Sequence, residues 1–101
     1  MNKPGKKIKK DRNVELYKAI LALRDVDECM KFFDDLCSIT ELHAMEQRYQ
    51  VAQLLSGGHI YSDILEQTGA SSATISRVNR CLLYGAGGYD IAFQRLAEKS
   101  K

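Results

Sequence analysis

Residues 60–82 read IYSDILEQTGASSATISRVNRCL, and the punctuation inside this stretch decides the fold. A short helix starts at Ile60 or Tyr61 and ends at Gly69. A second helix follows after one turn, with Ser71 as its expected cap. The turn needs a residue that tolerates positive φ, and Gly69 supplies it. This is the pattern of a helix-turn-helix. Ile64 faces inward from the first helix, and Ile75, Val78 and Leu82 face inward from the second. Ala73, Ser76, Arg77 and Arg80 then share the outer face, with Ser72 and Thr74 at its N-terminal end. The motif is a variant, because Leu65 stands where a small residue is usual and no good cap precedes the first helix unless Ser62 takes that role.

The outer face of the second helix has the chemistry of a major-groove reader. Small residues permit close approach to base edges, hydroxyls donate or accept there, and arginines reach guanine or phosphate. The plain alternative is an αα-hairpin with a polar outer face.

Upstream, periodicity predicts three more helices. Asn13 caps a helix over residues 14–23. Val14, Tyr17 and Leu21 form one apolar stripe of it, and Leu16, Ile20 and Leu23 form a second. A helix apolar on two sides is expected to pack on its own domain with one face and on a partner chain with the other. Asp25, Asp27 and Glu28 place carboxylates at the positive end of the next helix. Val26, Cys29/Met30, Phe33 and Leu36/Cys37 mark its expected buried stripe. Ser38 or Thr40 caps the third helix, which carries Leu42, Met45, Tyr49, Ala52 and Leu55 in register and stops at Gly57-Gly58. Downstream, Gly85-Ala86-Gly87-Gly88 breaks the chain. A last helix is expected from Tyr89 to about Lys99, with Tyr89, Ile91/Ala92, Phe93 and Leu96 in register.

Charge is divided along the 101 residues. The net charge is +2, but residues 1–12 carry +5, residues 13–47 carry −5 and residues 48–101 carry +2. The first segment, with Lys3, Lys6, Lys7, Lys9 and Lys10, has no periodicity and is expected to be a disordered basic arm suited to an anionic partner. Residues 13–101 are expected to form one domain. No apolar run approaches the ~18 residues of a membrane span, and the basic N-terminus leads into no signal-peptide core. Cys29, Cys37 and Cys81 are an odd, widely spaced set, and His43 and His59 complete no metal-ligand pattern. Cys29 and Cys37 fall among apolar neighbours and are expected to be small buried hydrophobes in a reducing compartment. There is no nucleophile–base pair, and Gly85-Ala86-Gly87-Gly88 follows a helix rather than a strand, so neither an enzyme nor a nucleotide site is expected.

The same residues carry a resemblance. Thr74-Ile75-Ser76-Arg77, preceded by Gly69-Ala70-Ser71-Ser72-Ala73, resembles the recognition stretch of the bacterial Trp repressor family. Thr40-Glu41-Leu42-His43-Ala44-Met45-Glu46-Gln47-Arg48 resembles that family's third helix. Arg77-Val78-Asn79-Arg80-Cys81-Leu82, with Tyr84-Gly85 and Gly87-Gly88-Tyr89, is similar to its Trp-repressor-like YerC/YecD branch. The similarity spans about residues 14–97, with a small gap near Gly57.

The resemblance implies an all-α fold of six helices and an intertwined homodimer, in which the first three helices interlock with the partner. It implies a cytoplasmic DNA-binding regulator, a repressor, presenting two recognition helices to successive major grooves about 34 Å apart on double-stranded DNA. Ser72, Ala73, Thr74 and Ser76 become the expected base or water-mediated contacts, and Arg77 and Arg80 the contacts to phosphate or guanine. Asp63 and Glu66, on the supporting helix, would oppose the DNA backbone if they faced it. In this family two arginines sandwich a corepressor, and by position they are Arg48 and Arg77. Val78 stands where the repressor has glycine and would crowd an indole, so an amino-acid-like corepressor other than tryptophan is the expected ligand, if any is used. The rival expectation is a dimeric interaction adaptor that does not read DNA.

Overall fold

A computed structural model describes residues 11–100. The expected basic arm therefore lies, apart from Asp11 and Arg12, outside the described residues. The described residues form six helices and no strand: α1 (Val14–Ala22), α2 (Val26–Leu36), α3 (Ile39–Ser56), α4 (Tyr61–Thr68), α5 (Ser72–Tyr84) and α6 (Gly88–Lys99). No helix among the described residues is long and apolar enough to cross a membrane. The chain divides into two compact units, residues 1–39 and 40–101.

The first unit is built from local polar chemistry. Asn13 caps α1, its Oδ1 accepting from the Glu15 N–H at 3.1 Å. The Arg12 guanidinium donates to the Tyr17 hydroxyl at 2.6 Å and lies 5.2 Å from the centre of that ring. Asp25 caps α2 by accepting from the Glu28 N–H at 2.8 Å, and Glu28 reaches back to accept from the Arg24 N–H at 2.8 Å. The first bond satisfies a donor that the helix start leaves free, and the second holds the residue before the cap.

Its apolar faces are another matter, since no described residue of this unit is buried. Leu16, Ile20 and Leu23 are half-buried, whereas Leu21 is 85% exposed and Val14 and Tyr17 are exposed too. The expected buried stripe of α2 is only half realised. Cys29, Phe33 and Cys37 are half-buried, but Val26, Met30 and Leu36 are 73%, 60% and 51% exposed. Two short helices cannot enclose both faces of each other, so periodicity named the apolar side without guaranteeing a cover for it. All three cysteines are free thiols, with Cys81 exposed.

The second unit holds the core. Val51 and Ala52 of α3, Ile64 of α4, Ala70 of the turn, and Ile75 and Val78 of α5 are all buried. Leu54, Leu55, Leu82, Tyr89 and Phe93 pack around them. Phe93 sets α6 against α3, its ring centre 5.6 Å from that of Tyr49 and 6.1 Å from that of Tyr89. The scaffold helix α3 begins at Ile39, so Thr40 lies inside its first turn and Ser38 is the candidate that directly precedes the helix. It ends as the double glycine predicts. Gly58 has φ +87°, and the Gly58 and His59 N–H groups donate back to the Leu55 and Leu54 carbonyls at 3.0 and 3.1 Å. These two bonds close the helix as a Schellman motif.

Candidate nucleic-acid interface

The recognition stretch is assembled from its turn outward. Thr68 ends α4, and its hydroxyl donates to the Ile64 carbonyl at 2.7 Å while accepting from the Ala70 N–H at 3.0 Å. Gly69 takes φ +71°, as the turn requires. Ala70 is buried, and Ser71 then caps α5 by accepting from the Thr74 N–H at 3.1 Å. The Ile75 N–H donates to the Ser71 carbonyl at 3.0 Å, which closes the first turn of α5.

Burial of Ile75 and Val78 fixes the rotation of α5. Leu82, half-buried, continues that inward side one turn later. The opposite side presents Ser72, Ala73, Ser76, Arg77 and Arg80, every one of them exposed. Residues at i, i+3, i+4 and i+7 share one helix face, so Ala73, Ser76, Arg77 and Arg80 form a continuous strip with Ser72 beside its start. Thr74 stands apart. It is half-buried, and its Oγ1 accepts from the Ser71 hydroxyl at 3.1 Å, so its side chain belongs to the cap. Leu65 is exposed and outside the core, which explains how a large residue is accommodated at that place in the motif.

Arg48 is exposed on α3. Among the described residues, Arg48, Arg77 and Arg80 form no ion pair; the two pairs present, Lys18–Glu15 at 3.4 Å and Lys31–Asp27 at 3.1 Å, are in the first unit. Asp63 and Glu66 are exposed on α4 and leave negative charge on the supporting helix. No group of three or more His, Cys, Asp or Glu among the described residues could hold a metal ion. A groove of about 440 Å³ runs beside the end of α5, lined by Tyr49, Cys81, Tyr89, Ala92 and the 85–88 turn. Neither Arg48 nor Arg77 lines it.

Two participants escape a reading by pattern. Gln47 donates from Nε2 to the Thr68 carbonyl at 3.2 Å, which ties the turn to α3 across 21 residues. A side chain that meets a distant backbone carbonyl leaves no periodic mark. Thr68 had a weak signal, since a hydroxyl directly before a helix-ending glycine is placed to engage the last turn.

The sequence model of the Trp repressor protein family matches residues 12–97. The uncharacterized protein YerC of Bacillus subtilis (strain 168) is 50% identical over 84 residues, covering 83% of this chain and 81% of YerC. The crystal structure of a candidate Trp repressor from Staphylococcus aureus superposes with a TM-score of 0.82 at 43% identity, over 89% of this chain and 93% of that one. A TrpR-like protein from Eubacterium eligens ATCC 27750 gives a TM-score of 0.79 at 53% identity, over 82% of this chain and 86% of that one. At these identities and coverages the six helices carry an all-α, Trp-repressor-like fold, and the chain belongs to the Trp repressor family.

Proposed function

We propose that the chain is a sequence-specific DNA-binding transcriptional regulator, a repressor, that acts as a homodimer through α4 and α5. The observation that carries this reading is the two-sidedness of α5. Ile75 and Val78 are locked in the core, while Ser72, Ala73, Ser76, Arg77 and Arg80 are exposed together, and both arginines lack an ion-pair partner among the described residues. A surface helix that carries small, hydroxyl and unpaired guanidinium groups on one face matches the donor and acceptor pattern of base edges flanked by phosphate. Family membership supports a regulatory rather than a catalytic role.

The homodimer is supported by the uncovered apolar side chains of α1 and α2. A second copy would bury Val14, Tyr17, Leu21, Val26 and Met30, and would set two recognition helices about one DNA turn apart. Arg77 and Arg80 are assigned to phosphate or guanine, and Ser72, Ala73 and Ser76 to base or water-mediated contacts; Thr74, expected among them, is assigned to holding the cap, since its N–H and hydroxyl both engage Ser71. The lysine arm is assigned to the DNA backbone, where it offsets Asp63 and Glu66. Replacing Arg80 with Gln is expected to lower the slope of log affinity against log salt by about one. Salt titration by fluorescence anisotropy measures this, and an unchanged slope would remove Arg80 from the interface.

For a corepressor, Arg48 and Arg77 suit the carboxylate of an amino-acid-like ligand. Val78 is 2% exposed and part of the core, so the position does not offer the space that glycine would give an indole ring. The deciding experiment for the whole reading is selection from fragments of the source genome near physiological salt, followed by sequencing of what stays bound. Enrichment of a few two-fold-symmetric sites is expected without added ligand. A dimer with no enrichment, with or without added amino acids, would favour the adaptor reading instead.

A further inference from the structure

We propose that Gln47 and Thr68 are positioning residues that set the tilt of the recognition helix, so that they govern discrimination between DNA sequences without touching DNA. The proposal rests on the DNA-binding reading and adds to it the part of the fold that controls specificity.

The supporting helix α4 is weakly held by its own means. It has eight residues, its N-cap Ile60 makes no side-chain cap bond, and Ile64 is its only buried residue. A helix of that length is not stable alone in water. Its C-terminal end is fixed by Thr68, which joins three parts of the unit. The Thr68 hydroxyl holds the last turn through the Ile64 carbonyl and the turn backbone through the Ala70 N–H. The Thr68 carbonyl, one of those a helix end leaves unpaired, accepts from Gln47 on α3. Ala70 is buried and adjoins Ser71, the cap of α5. A continuous path of short bonds therefore runs from α3 through Gln47, Thr68 and Ala70 to the first turn of α5. Gln47 and Thr68 are both half-buried, away from the exposed strip of α5.

Geometry says what loosening this path would do. Arg80 lies nine residues beyond Ser71, about 13 Å along the helix at 1.5 Å per residue. A rotation of about 5° at the cap would move its backbone by ~1 Å. Hydrogen bonds to base edges tolerate only a few tenths of an ångström around their 2.7–3.2 Å optimum. Attraction to phosphate acts over a screening length of about 8 Å at physiological salt and would hardly register the shift. Loss of the clamp therefore has a signature that differs from loss of a DNA contact: specific affinity falls and nonspecific affinity stays.

The test uses the full chain and two duplexes of equal length, one carrying a site enriched from the genome and one scrambled. Gln47→Met keeps side-chain length and removes the donor. Thr68→Val keeps shape and removes the hydroxyl, and Thr68→Ser restores it. Both deletions are expected to lower the ratio of specific to nonspecific affinity about five- to tenfold, the effect of roughly one hydrogen bond. Nonspecific affinity should stay within about twofold, and Thr68→Ser should recover the wild-type ratio. Exchange of the Ala70 amide hydrogen should quicken in Thr68→Val. An unchanged ratio in folded Gln47→Met overturns the proposal, and this variant decides alone if Thr68→Val does not fold. Equal losses on both duplexes also overturn it, since they would mark a direct contact or global damage. A wild-type ratio of one would instead sink the DNA-binding reading, and this role with it.

Discussion

The two units of the chain use similar sequences to different ends. Both contain amphipathic helices with caps and clear apolar stripes. Residues 40–101 close a core of six buried side chains from three helices and a turn, whereas no described residue of 11–39 is buried. The exposed Leu21, Val26 and Met30 of the first unit are as apolar as the Val51, Ile64 and Ile75 that the second unit encloses. An amphipathic stripe thus specifies a face that needs cover without specifying what covers it. The second unit has four helices and encloses a small core, although Leu83, Tyr84, Ile91 and Leu96 stay exposed. The first has two and leaves a surface that the proposed second copy would fill.

This contrast can be broken by mutation, starting where the effect should be greatest. Ile64→Ala removes a fully buried side chain from α4 and is expected to cost about 2–5 kcal/mol. For a chain this size that lowers the midpoint of thermal unfolding by roughly 10 °C or more, read by circular dichroism. Leu21→Ala is the matching change in the first unit. In an isolated chain its 85% exposure would limit the effect to about 0.5 kcal/mol. Cover by a second copy raises the expected loss to about 1.5–3 kcal/mol. It also makes the wild-type midpoint rise with protein concentration, which melting curves over a hundredfold dilution series reveal. A midpoint independent of concentration, with a silent Leu21→Ala, would leave the first unit complete as it stands.

Gly69→Ala probes the turn of the second unit. A methyl group built there meets nothing within 4 Å, so the expected cost of about 1–2 kcal/mol comes from the φ of +71° alone. Urea unfolding should show it as a lower midpoint with an unchanged slope. The smallest effect belongs to Lys31→Ala. Its pair with Asp27 spans 3.1 Å, but both side chains are about three-quarters exposed, so solvent screening leaves a change within about 0.5 kcal/mol.

Much of the fold was legible because its signals are local. Gly69 and Ser71 mark the turn and the cap of α5, Gly57-Gly58 stops α3, and Gly87 opens α6 with φ +87°. The inward set Ile64, Ile75 and Val78 followed from helical spacing, and the exposure of Ala73, Ser76, Arg77 and Arg80 followed from the same count. What stayed hidden depends on residues distant in sequence. The exposure of Val26, Met30 and Leu36 reflects the lack of a cover within the first unit, which no spacing within α2 could reveal. The engagement of Thr74 with Ser71 separates it from Ser72 and Ser76, although all three hydroxyls look equivalent in the sequence. The bond from Gln47 to the Thr68 carbonyl joins a side chain to backbone across the motif and is visible only in three dimensions.

Two copies, joined through the first unit, are proposed to present two recognition helices to one DNA site. The most direct measurement is the mass of the complex between the full chain and a genomically enriched duplex, by sedimentation or native mass spectrometry. Two chains per duplex are predicted, with binding lost when about five base pairs, half a helical turn, are inserted between the half-sites. One chain per duplex, or an affinity indifferent to that insertion, would contradict the account.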